Sequence, residues 1–114
     1  HPHLRVAEMY LIQAEARLKG ASGNGTAEEA LNELRNARNL SDLNGSVTMD
    51  EILEERRREL VAEGHRFFDL KRLGRDIRKV QGREDIPFRD ERVLDDVPED
   101  ELLVNDSLQQ NPGY

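Results

Sequence analysis

TMDEILEERRRELVAEGHRFFDLKRLG, residues Thr48 to Gly74, is the stretch whose reading decides the fold. Thr48 followed three residues later by Glu51 is a capping box, in which each side chain satisfies a backbone N–H that the first helical turn leaves free. The helix opened there is expected to run to Gly64, a residue that enters the left-handed C-cap conformation without steric cost. At about 100° per residue, Met49, Ile52, Leu53 and Leu60 share one side of it. Arg56 and Glu63 fall in the middle of that same side. Charged side chains are rarely buried without partners, so an apolar side facing a core requires Arg56 and Glu63 to meet partners inside the fold. Glu54 and Glu55 stand at i, i+4 and i, i+3 to Arg58, the spacing of neighbours on a solvated helix surface.

Upstream, Leu4, Ala7, Leu11, Ala14 and Leu18 recur at helical spacing, which predicts a first helix from about Leu4 to Lys19 with Gly20 as its stop. Glu8 and Glu15 lie at the edge of its apolar side. Residues 20–25, GASGNG, read as a turn built from residues that tolerate positive φ. Thr26 and Glu29 form a second capping box, and Ala27, Ala30, Leu31, Leu34 and Arg38 share one side of the helix that follows. Two helices over roughly 35 residues, with alanines where backbones approach, suggest a tetratricopeptide-like helical pair.

Downstream, LSDLNGSV over 40–47 reads as a loop and HRFFDLKRL, His65 to Leu73, as a short helix that buries Phe67, Phe68 and Leu70. From Arg75 the periodicity fades: Ile77, Val80, Ile86, Phe88, Val93 and Leu94 are scattered among charges, as in irregular structure. Pro98 suits the first turn of a short helix to Val104, whose acids Glu99, Asp100 and Glu101 suit its positive end. Asn111-Pro112-Gly113-Tyr114 is a turn-type ending. The expected fold is all-α and one domain: a tetratricopeptide-like pair over 1–39, a motif helix and short helix over 48–74, and an irregular acidic segment over 75–114.

Charges interrupt three apolar faces: Glu8 and Glu15 on the first helix, Arg38 on the second, Arg56 and Glu63 on the third. Together they are read as a structural ion network that sets helix register. Spacing leaves open which carboxylate meets which arginine.

Composition narrows the function. The 114 residues carry a net charge of −7, and 36% are hydrophobic against 36% charged. Residues 75–114 hold 11 acids against 6 bases. That field repels a phosphate backbone, and Glu54, Glu55 and Glu59 flank the Arg56-Arg57-Arg58 run, so nucleic-acid binding is not expected. No apolar run approaches the roughly 18 residues of a membrane span. Without cysteine there is neither a disulfide nor a thiolate metal site. Pro2 lacks the N–H an amino-terminal chelate needs, and His65 stands alone, so no metal is expected. With 24 acids, carboxylate pairs arise at every spacing and none is singled out for glycoside hydrolysis. No catalytic triad, phosphate loop or dinucleotide fingerprint appears, so neither catalytic nor cofactor-binding residues are assigned.

The run ILEERRRELVAEGHRFFDLKRLG, with RVAEMYLIQAEARLKG before it and LLVNDSLQQNPGY at the close, resembles the carboxy-terminal region of the SusD/RagB family. The three blocks stand in the family's order from about Arg5 to Tyr114, with the loops around 20–25, 40–47 and 75–92 unmatched. Arg56, Arg57, Arg58, Glu59, Gly64, Arg66, Asp69 and Leu70 fall on the family's ERRREL, EG, R and DL positions, where their role is read as structural. The resemblance implies a nutrient-binding lipoprotein, lipid-anchored at the cell surface on the outer membrane. It would capture glycans or other nutrients and lid a TonB-dependent, SusC-like transporter. Family members are several times longer and carry a signal peptide and an acylated cysteine, so this chain is expected to be a portion of a longer protein. Glycan capture relies on aromatic platforms. Here only Phe88 and Tyr114 sit in expected loops, which makes them the ligand candidates. The alternative reading is a free-standing helical interaction module gripping a peptide in a groove lined by Tyr10 and Leu11.

Overall fold

The computed structural model describes residues 5–78 and 84–113. The fold is all-α. Helices α1 (Val6–Leu18), α2 (Ala27–Asn36), α3 (Met49–Glu59), α4 (His65–Arg72) and α5 (Glu99–Val104) follow in order, with a 3-10 turn at Glu91–Val93. Backbone contacts divide the chain into two compact units, His1–Arg66 and Phe67–Tyr114.

In the first unit both capping boxes form: the Thr26 and Thr48 hydroxyls accept from the N–H of Glu29 and Glu51, whose carboxylates accept from the threonine N–H in return. α1 packs on both α2 and α3. Ala7, Leu11 and Ala14 of α1 meet Ala30, Leu31 and Leu34 of α2, and Val47, Ile52 and Leu60 complete the core. The alanines bring the α1 and α2 backbones close, the arrangement of a tetratricopeptide-like pair. Leu11, Leu31 and Ile52 are fully buried. Asn32 ties the 40–47 loop down, its Nδ2 donating to the Leu43 carbonyl at 3.1 Å and its Oδ1 accepting the Leu43 N–H at 2.8 Å.

The third helix is shorter than its sequence pattern. It ends at Glu59 with Leu60 as cap, and Ala62 (φ 62°) and Gly64 (φ 79°) turn the chain toward α4. Two anchors end it early: Leu60 is drawn into the core, and the Arg5 guanidinium takes the Glu59 carbonyl at 3.2 Å, replacing an intrahelical partner. Glu63 therefore lies beyond the helix instead of in the middle of its apolar side. Arg38 likewise falls past the end of α2, whose cap is Ala37.

In the second unit, Leu70 and Val93 are buried, but Phe67 and Phe68 are not: Phe68 is 67% exposed, and the two rings stack edge to face at 5.5 Å. The expectation that both phenylalanines enter a core fails because the buried side of α4 is taken by Asp69 and Leu70. Ile77 and Ile86 exchange both backbone hydrogen bonds in an isolated antiparallel bridge. Pro98 caps α5. Leu4 and Val80 lie outside the described residues.

Candidate functional site

The polar groups of the first unit are gathered between helices. Glu59, at the end of α3, is the hub: Arg38 clasps its carboxylate through Nε and Nη2 at 3.0 and 2.7 Å, and Arg5 grips it from the start of α1. Arg5 reaches Glu63 as well. The two guanidiniums, Arg38 first, hold the Glu59 carboxyl below the usual glutamate range against the opposing effect of its partial burial. A second cluster pairs Glu55 of α3 with Arg35 of α2, and Arg58 adds a contact at 2.8 Å. Glu55 is buried, contrary to its reading as a solvated neighbour of Arg58, because Arg35 crosses from α2 to cover it. On the outer side of α3, Arg57 takes Glu54 at 2.6 Å and lowers its pKa.

The residues read from the sequence as an ion network fall on α1, on α3 and just beyond the ends of α2 and α3. Arg38 and Glu63 enter the Glu59 and Arg5 cluster. Glu15 is buried and bonded to Lys19 at 2.7 Å, and Glu8 lies 3.8 Å from His65. Arg56 is buried, 6% exposed. No fully buried side-chain nitrogen or oxygen among the described residues lacks a hydrogen-bond partner. Arg5, Arg35, Glu55 and Glu59, which also join helices, are not among those marked by interrupted periodicity. The available signal is Arg35 and Arg38 three apart at the end of α2 and Glu55 and Glu59 four apart on α3, spacings that place the members of each pair on one side of the chain.

The groove required by the peptide-binding alternative is filled. Leu11 is sealed in the core, and Tyr10 packs against it with its hydroxyl donating to Glu33 at 2.8 Å, a bond that raises the phenol's pKa.

In the second unit Phe88 lies on the surface, 37% exposed, with the Arg89 guanidinium over its ring at 5.4 Å and Gly74 beside the ring. Its N–H donates to Asp76 at 3.0 Å. Beside it Arg89, Asp90, Glu91, Leu94 and Pro112 line an open depression of about 380 Å³. Asp90 is already taken by Arg92 at 2.7 Å. Tyr114 lies outside the described residues. Among those described, no cluster of three or more metal-ligating side chains occurs, and no helix is long and apolar enough to cross a membrane.

The comparisons agree with this helical architecture. The model of the SusD family matches residues 1–114. SusD-like protein P2 of Formosa agariphila is 34% identical over 97% of this chain. The starch-binding protein SusD of Bacteroides thetaiotaomicron is 40% identical over 64% of it. A crystal structure of a Bacteroides vulgatus protein designated as sugar binding superposes on 99% of this chain with a TM-score of 0.83 at 31% identity. A SusD superfamily protein of the same organism superposes on 97% with a TM-score of 0.73 at 37% identity. The chain spans 25% of the length of P2, its match covers 13% of SusD, and it spans 28% and 27% of the two structures. With the whole chain matched by the family model, and its relatives sharing both sequence and fold, this chain belongs to the SusD family.

Proposed function

We propose that the chain is the scaffold portion of a SusD-like surface protein that binds glycans or other nutrients and delivers them to a TonB-dependent, SusC-like outer-membrane transporter. In the full-length protein a lipid anchor would hold it at the cell surface. The protein acts by binding, not by catalysis. Family membership supports the glycan reading, together with a relative named for starch binding and a structural neighbour designated as sugar binding.

The scaffold reading is carried by one observation: the charged side chains gathered between the helices of the first unit are spent on one another. Glu59 is taken by two arginines and Glu55 by two more. Such pairs position helices and leave few free donors and acceptors for a ligand. Phe88 is the described aromatic best placed for a sugar face, yet Arg89 already covers one side of its ring. The glycan contacts of the whole protein would then come mainly from segments beyond this chain.

Calorimetric titration of the chain with maltoheptaose and a panel of other oligosaccharides tests this reading. No binding is expected at millimolar concentrations. Affinity tighter than about 1 mM, abolished by Phe88→Ala, would move the binding site into this chain and overturn the scaffold assignment.

A further inference from the structure

Seven asparagines occur in the chain, and two of them, Asn24 and Asn44, are followed by glycine. Such an asparagine carries its own reaction partner: the next backbone nitrogen lies within reach of the side-chain carbonyl carbon, and glycine has no Cβ to block the approach. The other five are poorly placed. Asn111 precedes Pro112, whose nitrogen bears no hydrogen. Asn32 has both ends of its amide bonded to Leu43. Asn36, Asn39 and Asn105 precede Ala37, Leu40 and Asp106, whose Cβ atoms crowd the nitrogen. The two Asn-Gly pairs both sit on exposed connections but are held differently. Asn24-Gly25 is strapped down: the Gly25 carbonyl accepts from Arg17 Nη1 at 2.7 Å, and the Thr26 N–H donates to Glu29 at 2.8 Å. The Glu29 carboxylate also stands 2.8 Å from where a Gly25 Cβ would lie. Asn44-Gly45 is slack. Leu43 and the buried Val47 anchor its ends, yet among the described residues no hydrogen bond or ion pair involves Asn44, Gly45 or Ser46. The space around Gly45, at φ 94°, is open.

We propose that Asn44 is a self-modification site, at which the chain deamidates while folded, and that Arg17 protects Asn24 from the same reaction. The Gly45 nitrogen gives its proton to solvent and attacks Asn44 Cγ. A bond forms between those two atoms, the Cγ–Nδ2 bond breaks, and Nδ2 leaves as ammonia, which closes a succinimide ring. Water then opens the ring at either carbonyl. Opening at Cγ leaves aspartate; opening at the main-chain carbonyl leaves isoaspartate, with the backbone rerouted through Cβ and Cγ. The chain gains one negative charge, and nothing is oxidised or reduced. The attack requires the Asn44–Gly45 peptide to swing round, which the untethered residues 44–46 permit. At Asn24 the same swing breaks the charge-assisted bond from Arg17 and carries a nitrogen anion toward the Glu29 carboxylate.

The proposal is independent of the glycan reading and stands whatever the oligosaccharide titration gives. The two sites fall in separate tryptic peptides, residues 20–35 and 39–56, so peptide mass spectrometry reads each conversion by itself. The chain is incubated at neutral pH in oxygen-18 water, which marks every hydrolysed amide, and the same chain unfolded in urea supplies the rate that local sequence alone sets. In urea the two sites should convert at comparable rates. In the folded chain Asn44 should stay within about 3-fold of its urea rate, as expected of a segment that opens at little cost. Asn24 should slow by about 10-fold or more, the ratio set by one hydrogen bond to a charged group. Arg17→Ala, confirmed as folded by its thermal melt, should then bring Asn24 close to Asn44. Protection of Asn44 equal to that of Asn24 in the folded parent overturns the site, and an Asn24 rate unmoved by Arg17→Ala overturns the clamp. Asn44→Asp, which carries one of the two products, should melt within a few degrees of the parent. A fall of more than about 10 °C would show that the folded chain does not tolerate the product and would refute deamidation in the folded state.

Discussion

The two units solve the same problem, the satisfaction of polar groups, by different means. In His1–Arg66 the backbone is largely helical and satisfies itself, so charged side chains are free to pair with one another across helices: Glu59 with Arg38 and Arg5, Glu55 with Arg35. In Phe67–Tyr114 the backbone is mostly irregular, and side chains are drawn onto it. Lys71 donates to the Val93 carbonyl at 2.9 Å, Gln110 brackets both polar groups of Val97 at 2.8 and 3.0 Å, and Asn111 donates to the Asp95 carbonyl. Side-chain polarity thus serves register in one unit and replaces secondary structure in the other.

The contrast is broken most severely by Arg56→Ala. Removing a buried guanidinium strands the groups around it and should cost about 3–5 kcal/mol. The melting temperature would then fall by more than about 10 °C; a change of only a few degrees would show that the buried charge plays no part in stability. Arg35→Ala comes next. It leaves Glu55 with Arg58 alone and should cost about 1.5–3 kcal/mol, read by urea unfolding.

Acid should act on the first unit in the same direction. The folded-state pKa values of Glu59, Glu54 and Glu51 lie below their ordinary 4.5, through Arg38, Arg57 and the Thr48 N–H respectively. Their contribution is therefore complete above that value and is lost as pH falls below it. Thermal melts from pH 7 to pH 3 should show Glu59→Gln already weakened at pH 7 and less sensitive to acid than the parent. The smallest effect is expected from Gln110→Ala, about 1 kcal/mol or less. It should speed exchange of the Val97 amide while leaving amides in α1 and α2 unchanged, which would separate the two modes of support residue by residue.

What the sequence discloses depends on how far apart the interacting groups are. Thr26 with Glu29 and Thr48 with Glu51 are legible because both partners lie within one turn, and so is the short helix after Pro98. The core residues Leu11, Leu31 and Ile52 are legible from period alone. The end of α3 is not, since Gly64 is an available cap but Arg5, 54 residues before Glu59, supplies the earlier stop. Burial of Glu55 is hidden for the same reason: its i+3 neighbour Arg58 explains it locally, while Arg35 acts from another helix. Phe67 and Phe68 mislead because hydrophobicity says that a ring seeks cover without saying which chain segment provides it.

Ala62 carries a consequence for how the molecule opens. A non-glycine residue at φ 62° is held there at a cost of about 1 kcal/mol, and it stays because its neighbours are pinned, Leu60 by the core and Glu63 by Arg5. The connection from α3 to α4 is thus a sprung latch with two catches. Loosening either catch lets the alanine relax to an ordinary conformation, so strain that is silent in the intact fold becomes a local driving force for opening there. Proteolytic nicking within residues 60–64 would then report release of the Arg5 clamp before any helix has melted.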